Sequence, residues 1–156
     1  QDNMDALATL VVDVNEPLKM AFTAMDGNQV DLADMRGKVV LINFWSTTCP
    51  ACIASMPRLK ALYDKYRNHG FEIIGIADDG EGAKENVFKI LKKANANWPQ
   101  RLDKGREASV NFHALYGIKV LPTFWILDGK GRVVEQDVKM PQLASVIAKY
   151  MELKNE

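Results

Sequence analysis

Apolar residues gather in short runs along the chain, and the longest run predicts a central strand. Val39–Trp45 is rich in β-branched and aromatic side chains and almost unbroken by polar residues, which is typical of a strand buried on both faces. Phe71–Ala77 is a second run of this kind. Between the two runs, apolar residues recur at helical spacing from about Ala51 to Arg67, and Gly70 ends the predicted helix. This order of strand, helix and strand predicts a parallel βαβ unit with a right-handed crossover.

The segments on either side of this unit predict a mixed sheet covered by helices. Asp26-Gly27-Asn28 is a strong turn signal and predicts a hairpin between residues 20–22 and 29–32. Phe124–Leu127 predicts a strand that pairs antiparallel with Arg132–Glu135. The remaining predictions are a helix around Val87, Ile90 and Leu91, an irregular stretch over Asn97–Gly105, a short helix over Ser109–Leu115 and a last helix carrying Leu143, Val146, Ile147 and Tyr150. Together they predict a three-layer α/β fold.

Length and composition favour one globular domain. The 156 residues are 47% apolar and 26% charged, so we predict a single domain over residues 1–156 with an N-terminal extension over 1–15. Acidic and basic residues cancel to a formal net charge of zero, and no bulk field favours nucleic acid or an anionic membrane. Asp2 and Asp5 stand where a signal peptide carries basic residues, so we expect no leader within this sequence.

The two cysteines lie in one motif, Cys49-Pro50-Ala51-Cys52. The motif follows the predicted central strand and opens the next helix, where unpaired N–H groups and the positive end of the helix dipole stabilise a thiolate. Cys49 is therefore the predicted nucleophile, and Cys52 can attack a mixed disulfide formed on it. Pro50 suits the first turn of a helix, where its missing N–H costs nothing. The motif in this place predicts thiol–disulfide exchange.

No metal site is predicted. A tetrahedral zinc site needs four ligands, and neither His69 nor His113 lies at a suitable spacing from the cysteines. We interpret His69, which precedes Gly70, as a solvated helix cap and His113 as a surface or packing residue. The expected redox group is the cysteine pair itself, with no other cofactor.

The segment Phe44–Cys52, followed by Met56-Pro57, resembles the active-site segment of the thioredoxin superfamily. Most closely it resembles the TlpA/ResA-like branch of extracytoplasmic thiol–disulfide oxidoreductases. The resemblance extends from about Glu16 to the C-terminus and includes Tyr116–Thr123. It implies a thioredoxin-like three-layer α/β/α fold with a mixed central sheet, an N-terminal β extension and an insert before the cis-proline strand.

The resemblance also implies how a substrate is held. It implies a cis Leu121–Pro122 bond facing the cysteines, beside which the backbone of Leu121 pairs with an extended substrate segment. Proline before a central strand is unusual because it cannot donate a ladder hydrogen bond. We also predict that Trp45 and Pro50 contact the substrate, although Trp45 could equally pack the end of the strand.

The partners implied by the resemblance are protein thiols and disulfides and an upstream electron donor. Reduction of a partner's cysteines, for instance in cytochrome c maturation, is the usual work of the branch. The expected location is extracytoplasmic or periplasmic. We expect a monomer, with room for a membrane tether outside this chain.

The sequence departs from the branch around the second cysteine. Members commonly carry glutamate three residues after it, where this chain has Ser55, and plain thioredoxin carries a buried aspartate at the position of Asn43. Neither residue ionises, so we expect Cys52 to lose its proton slowly near neutral pH. Thr48 stands where family members usually have tryptophan, which predicts a different choice of partner.

Three alternatives stay open from the sequence. The cysteine pair could be a structural disulfide, although so short a loop gains little stability from chain entropy. A peroxiredoxin-like peroxidase would match Ser46 in a PxxxTxxC-like segment ending at Cys49, but Ile42 stands where proline is expected. A non-catalytic metal- or haem-binding module could use the cysteines with a histidine, although related copper carriers usually space their cysteines by three residues.

Overall fold

The computed structural model describes residues 9–106 and 108–154. Its strands within these ranges are β1 (Ala21–Thr23), β2 (Gln29–Asp31), β3 (Val39–Trp45), β4 (Phe71–Gly80), β5 (Gln100–Lys104), β6 (Thr123–Leu127) and β7 (Val133–Glu135). β1 and β2 form a separate hairpin, and the other five form one mixed sheet in the order β5-β4-β3-β6-β7. β3 lies parallel to β4 and antiparallel to β6. The predicted hairpin, central strand and mixed sheet are confirmed.

Helices cover the sheet. The described ranges contain α1 (Pro50–Tyr66), α2 (Lys84–Ala94), α3 (Phe112–Leu115) and α4 (Met140–Leu153), with short 3₁₀ helices at Leu32–Met35, Arg67–His69 and Glu81–Ala83. α1, α2 and α4 pack against one face of the sheet, while the hairpin and α3 cover the other. All seven residues of β3 are buried between these two layers. Gly70, with φ of 89°, ends the turn after α1 in the left-handed conformation that glycine tolerates best.

The predicted irregular stretch over Asn97–Gly105 is wrong, because it contains the edge strand β5. This strand has the sequence QRLDK, and four of its five residues are buried. The polar side chains of β5 leave its sequence without apolar alternation, but in the fold they form hydrogen bonds and ion pairs. Gln100 accepts a hydrogen bond from the indole of Trp45 at 3.0 Å, and Arg101 forms an ion pair with Asp103.

The predicted N-terminal extension, residues 1–15, lies partly outside the described residues, which begin at residue 9. The backbone N–H of Leu10 donates to the carbonyl of Leu115 at 2.8 Å, which brings this segment against the end of α3. Pro17 then forms an isolated bridge with Arg132 beside β7. Within the described ranges, no helix has both the length and the apolar character needed to cross a membrane.

Candidate active site

The cysteine pair begins helix α1. Cys49 and Cys52 form a disulfide with their Cα atoms 5.3 Å apart. Cys49 is the N-cap residue, and its Sγ accepts the backbone N–H of Cys52 at 3.1 Å. Cys52 has no exposed surface, whereas Cys49 is half-buried and Pro50 between them is exposed. The two sulfurs are therefore unequal, since one reaches solvent at a helix N-terminus and the other lies in the core.

The loop before Cys49 is held by an aspartate that the sequence analysis did not single out. Asp79, at the carboxyl end of β4, accepts the backbone N–H of Thr47 at 3.0 Å and its hydroxyl at 2.7 Å. The carbonyl of Ser46 accepts the N–H of Cys49 at 3.1 Å. The available signal was the Asp78-Asp79 pair directly after a buried run, because carboxyl ends of adjacent parallel strands meet at one edge of a sheet.

Positions 43 and 55, where related proteins carry a carboxylate, hold asparagine and serine in this chain. Asn43 is fully buried, and neither its amide oxygen nor its amide nitrogen has a hydrogen-bond partner within the described part of the chain. Ser55 is also buried, and its hydroxyl donates to the carbonyl of Cys52 at 2.7 Å. Both positions are therefore polar but cannot take up the proton of Cys52.

The prediction that Trp45 contacts substrate is corrected. Its side chain is 0% exposed, and its indole N–H donates to the side-chain oxygen of Gln100 in the edge strand. The ring lies under the active-site loop as part of the core. Of the two interpretations offered by the sequence, the structure supports packing at the end of the strand.

A groove runs along α1 from Ala51, which lies between the two cysteines in the chain. We call it the α1 groove. One wall is helix α1, and the other comes from the segment before β6 and the segment leading into α4. The Leu121–Pro122 peptide bond lies in the second wall and is cis. The cavity measures about 580 Å³, and its lining residues are Ala51, Ala54, Ser55, Arg58, Val120, Leu121, Pro122, Thr123, Phe124, Asp137, Val138, Lys139, Met140 and Pro141.

The backbone of Leu121 is available beside this groove. In residues 9–106 and 108–154, no backbone hydrogen bond joins Leu121 to another residue. The ladder of β6 begins only at Thr123, which pairs with Phe44. An extended chain placed beside Leu121 would find the unused N–H and C=O groups of that residue, whereas the carbonyl of Val120 already accepts the hydroxyl of Thr123.

A buried polar network on the opposite face holds the insert that leads to Pro122. Asp103 accepts the backbone N–H groups of Phe112 at 2.8 Å and His113 at 2.7 Å, and its carboxylate lies 2.8 Å from Nδ1 of His113. Arg101 pairs with the same carboxylate, and its guanidinium also donates to the carbonyl of Val110 at 2.7 Å. His113, expected to be a surface or packing residue, is buried, and its ring makes a T-shaped contact with that of Phe44 at 5.4 Å between centroids.

This network sets the charge of Asp103. Burial alone would raise the pKa of Asp103, but the hydrogen bonds from the His113 side chain and from the N–H groups of His113 and Phe112 outweigh it and hold the pKa below its ordinary value. Because the carboxylate is ionised, Nδ1 of His113 carries the proton that it donates. Burial lowers the pKa of Arg101, against the attraction of Asp103.

The same residues make a poor metal site. Asp78, Asp103 and His113 bring possible ligand atoms within 4.8 Å of one another. However, Asp103 already accepts from two backbone amides, His113 and Arg101. The buried guanidinium supplies the positive charge that a cation would bring. The donor set therefore fits an ion-pair network better than a metal.

Comparison with known proteins agrees with the geometry. The model of the AhpC/TSA family matches residues 13–136. The thiol-disulfide oxidoreductase ResA of Bacillus thuringiensis subsp. konkukian is 35% identical over 130 residues, which cover 83% of this chain and 70% of that protein. ResA of Bacillus subtilis is 31% identical over 128 residues, which cover 82% of this chain and 68% of that protein.

A solved structure confirms the thioredoxin-like arrangement that the sequence predicted. The thioredoxin domain of a thiol-disulfide oxidoreductase from Bacteroides vulgatus superposes with a TM-score of 0.76 at 23% identity, covering 91% of this chain and 99% of that one. At this level of identity the similarity shows the fold alone, a mixed sheet with flanking helices.

Proposed function

The chain belongs to the AhpC/TSA family and is a thiol–disulfide oxidoreductase, and from that premise we propose that Cys49 attacks protein disulfides and Cys52 releases the product. The observation that carries this assignment is the inequality of the two sulfurs. The Sγ of Cys49 caps helix α1 and accepts the N–H of Cys52 at 3.1 Å, which is an arrangement that stabilises a thiolate. The sulfur of Cys52 lies in the core.

The reaction proceeds as two displacements. The Cys49 thiolate of the reduced protein attacks one sulfur of a partner disulfide, a new S–S bond forms to Cys49, and the other partner sulfur leaves as a thiolate. The Cys52 thiolate then attacks Sγ of Cys49, the mixed disulfide breaks, and the second partner sulfur leaves. Two electrons pass to the partner, and the Cys49–Cys52 disulfide remains to be reduced by an upstream donor.

We assign the α1 groove to the substrate segment. Leu121 offers free backbone groups beside the cis bond to Pro122, which suits recognition by strand addition. Pro50 is exposed between the cysteines and borders the point of attack. By its resemblance to the extracytoplasmic branch, the chain acts as a reductant outside the cytoplasm, of the kind that serves cytochrome c maturation.

An equilibrium titration of the dithiol against glutathione tests the direction of electron flow. A strongly negative potential is the expected result for a reductant, and a mildly negative one would instead assign an oxidant or isomerase. Alkylation of the reduced protein at neutral pH should label Cys49 faster than a free cysteine and Cys52 hardly at all. Equal slow labelling of both cysteines would contradict the roles assigned to them.

Replacing Ser55 by glutamate should accelerate release of the product near pH 7. The new carboxylate would lie one helical turn from Cys52 on the same buried face and would accept its proton. A positioned general base speeds such a step by about tenfold or more. Stopped-flow measurement of the second displacement against pH checks the effect.

Ser55→Gln is the matched control, because glutamine has nearly the same size but cannot ionise. An equal acceleration in both variants, or none in Ser55→Glu, would show that proton removal from Cys52 is not limiting. Thermal unfolding of both variants reports the disturbance of burying a larger side chain.

A further inference from the structure

One wall of the α1 groove is a single stripe of the helix. Ala54 and Ser55 lie three and four residues after Ala51, and Arg58 lies four and three residues after them, so all four share one helix face. The first three are small and leave the wall shallow beside the cysteines. Arg58 is exposed and lies at the end of this wall that is further from the cysteines.

The groove carries one positive charge that no described residue balances. Asp137 and Lys139 on the opposite wall pair with each other at 2.9 Å. The guanidinium of Arg58 has no hydrogen bond or ion pair within residues 9–106 and 108–154, whereas those of Arg101 and Arg132 are each paired with an aspartate. The charge of Arg58 is therefore free to meet an acidic group from outside.

The spacing along the helix sets where that group must lie. Arg58 is nine residues after Cys49, which places its Cα about 13–14 Å further along the helix axis at a rise of about 1.5 Å per residue. Because side chains on a helix lean toward its N-terminus, the guanidinium can reach back to about 10 Å from the attacking sulfur. An extended peptide covers this distance in about three residues. The residues between would cross the apolar surface of Val120, Leu121 and Met140.

Building on the proposed function, we propose that this groove selects partner segments that carry aspartate or glutamate about three residues from the attacked cysteine, with Arg58 pairing with that acid. A planar guanidinium binds a carboxylate through two parallel hydrogen bonds, which lysine cannot do. The pair is exposed to solvent, so its effect is modest and falls as salt increases. Arg58 is thus a specificity residue, outside the chemistry of the two sulfurs.

Single-turnover reduction of short peptides tests this inference. Each peptide carries one cysteine in a mixed disulfide with 2-mercaptoethanol, and reaction with excess reduced protein yields the peptide thiol, free 2-mercaptoethanol and the Cys49–Cys52 disulfide. The series places glutamate, glutamine or lysine at the third residue on either side of the cysteine. At low salt, we expect the glutamate peptide of one orientation to react about threefold to fivefold faster than its glutamine counterpart.

Variants at Arg58 should change this preference in a predictable direction. Arg58→Gln should remove it, Arg58→Glu should turn it toward lysine, and Arg67→Gln, just beyond the end of the same helix and outside the groove, should retain it. The rate of reduction of the small uncharged bis(2-hydroxyethyl) disulfide is the reference for each protein, and the preference is the ratio of the glutamate-peptide rate to the glutamine-peptide rate within that protein. Thermal midpoints of wild type and the Arg58 variants should agree as well, because Arg58 is exposed and loses no partner among the described residues.

Different outcomes would contradict the selection by Arg58 and the proposed exchange activity. If the wild type reduces neither the peptides nor the uncharged disulfide, the proposed exchange activity fails. If it reduces all peptides at one rate, or if the preference for glutamate persists in Arg58→Gln, the selection by Arg58 is overturned and the exchange activity stands.

Discussion

Replacing Asp103 by asparagine is expected to lower the free energy of unfolding by about 3–5 kcal/mol, with a fall of about 10 °C in the unfolding midpoint. The carboxylate is completely buried and accepts from Arg101, the ring of His113 and two backbone amides. Asparagine keeps the shape but leaves the buried guanidinium of Arg101 without a counter-charge. Chemical denaturation at pH 7 measures the loss.

Two further variants isolate the cause. Asp137→Asn removes an exposed carboxylate from its pair with Lys139 and should change stability by less than about 0.5 kcal/mol. The double variant Arg101→Met/Asp103→Asn should recover part of the loss, because no unpaired charge then stays buried. A loss in Asp103→Asn no greater than in Asp137→Asn would show that the network does not support the fold.

The same network predicts a dependence on acid. The pKa of Asp103 is lower in the folded chain than its ordinary value. Its ionised form therefore stabilises the fold fully above about pH 4, and this stabilisation is lost as the pH falls through the folded pKa. Between pH 4 and pH 2, the wild type should lose stability more steeply than Asp103→Asn. Parallel curves for the two proteins would contradict the depressed pKa.

The elements that could be predicted from the sequence are those that bury apolar side chains. Val39–Trp45 is a strand at the predicted bounds, because its side chains enter the two apolar clusters that cover the faces of the sheet. The helix after Cys49 was predicted from its repeating apolar face and from Gly70, and the observed end lies within one residue of the prediction. For such elements the local pattern and the tertiary environment favour the same structure.

The parts that escaped prediction are polar groups buried by partners far away in sequence. β5 has no apolar alternation, and it is buried because Gln100 meets Trp45 and because Asp103 meets His113. Arg58 could be placed on a helix face from its spacing, but the opposite wall of its groove comes from Val120–Phe124 and from residues 137–141. These segments come together only in the folded chain, so the sequence around Arg58 could not predict the groove.

Replacing Cys49 by serine is expected to reduce disulfide exchange by about a thousandfold or more, the scale of loss seen when an enzyme loses its nucleophile. The remaining thiol of Cys52 is 0% exposed, so a partner disulfide cannot reach it. Steady-state reduction of a peptide disulfide, supported by an excess of a small dithiol, measures the loss. The double variant Cys49→Ser/Cys52→Ser fixes the background rate and should equal the single variant Cys49→Ser.

Cys52→Ser should fail differently, and the difference assigns the two roles. Cys49 keeps its position at the N-terminus of α1 and still attacks, so one equivalent of partner thiol is released quickly. Turnover then stops, because serine cannot displace the partner, and a mixed disulfide on Cys49 accumulates. Mass spectrometry of the trapped species locates the bond. Trapping by Cys49→Ser and not by Cys52→Ser would reverse the assignment, since the buried sulfur would then have to be the one that meets the substrate.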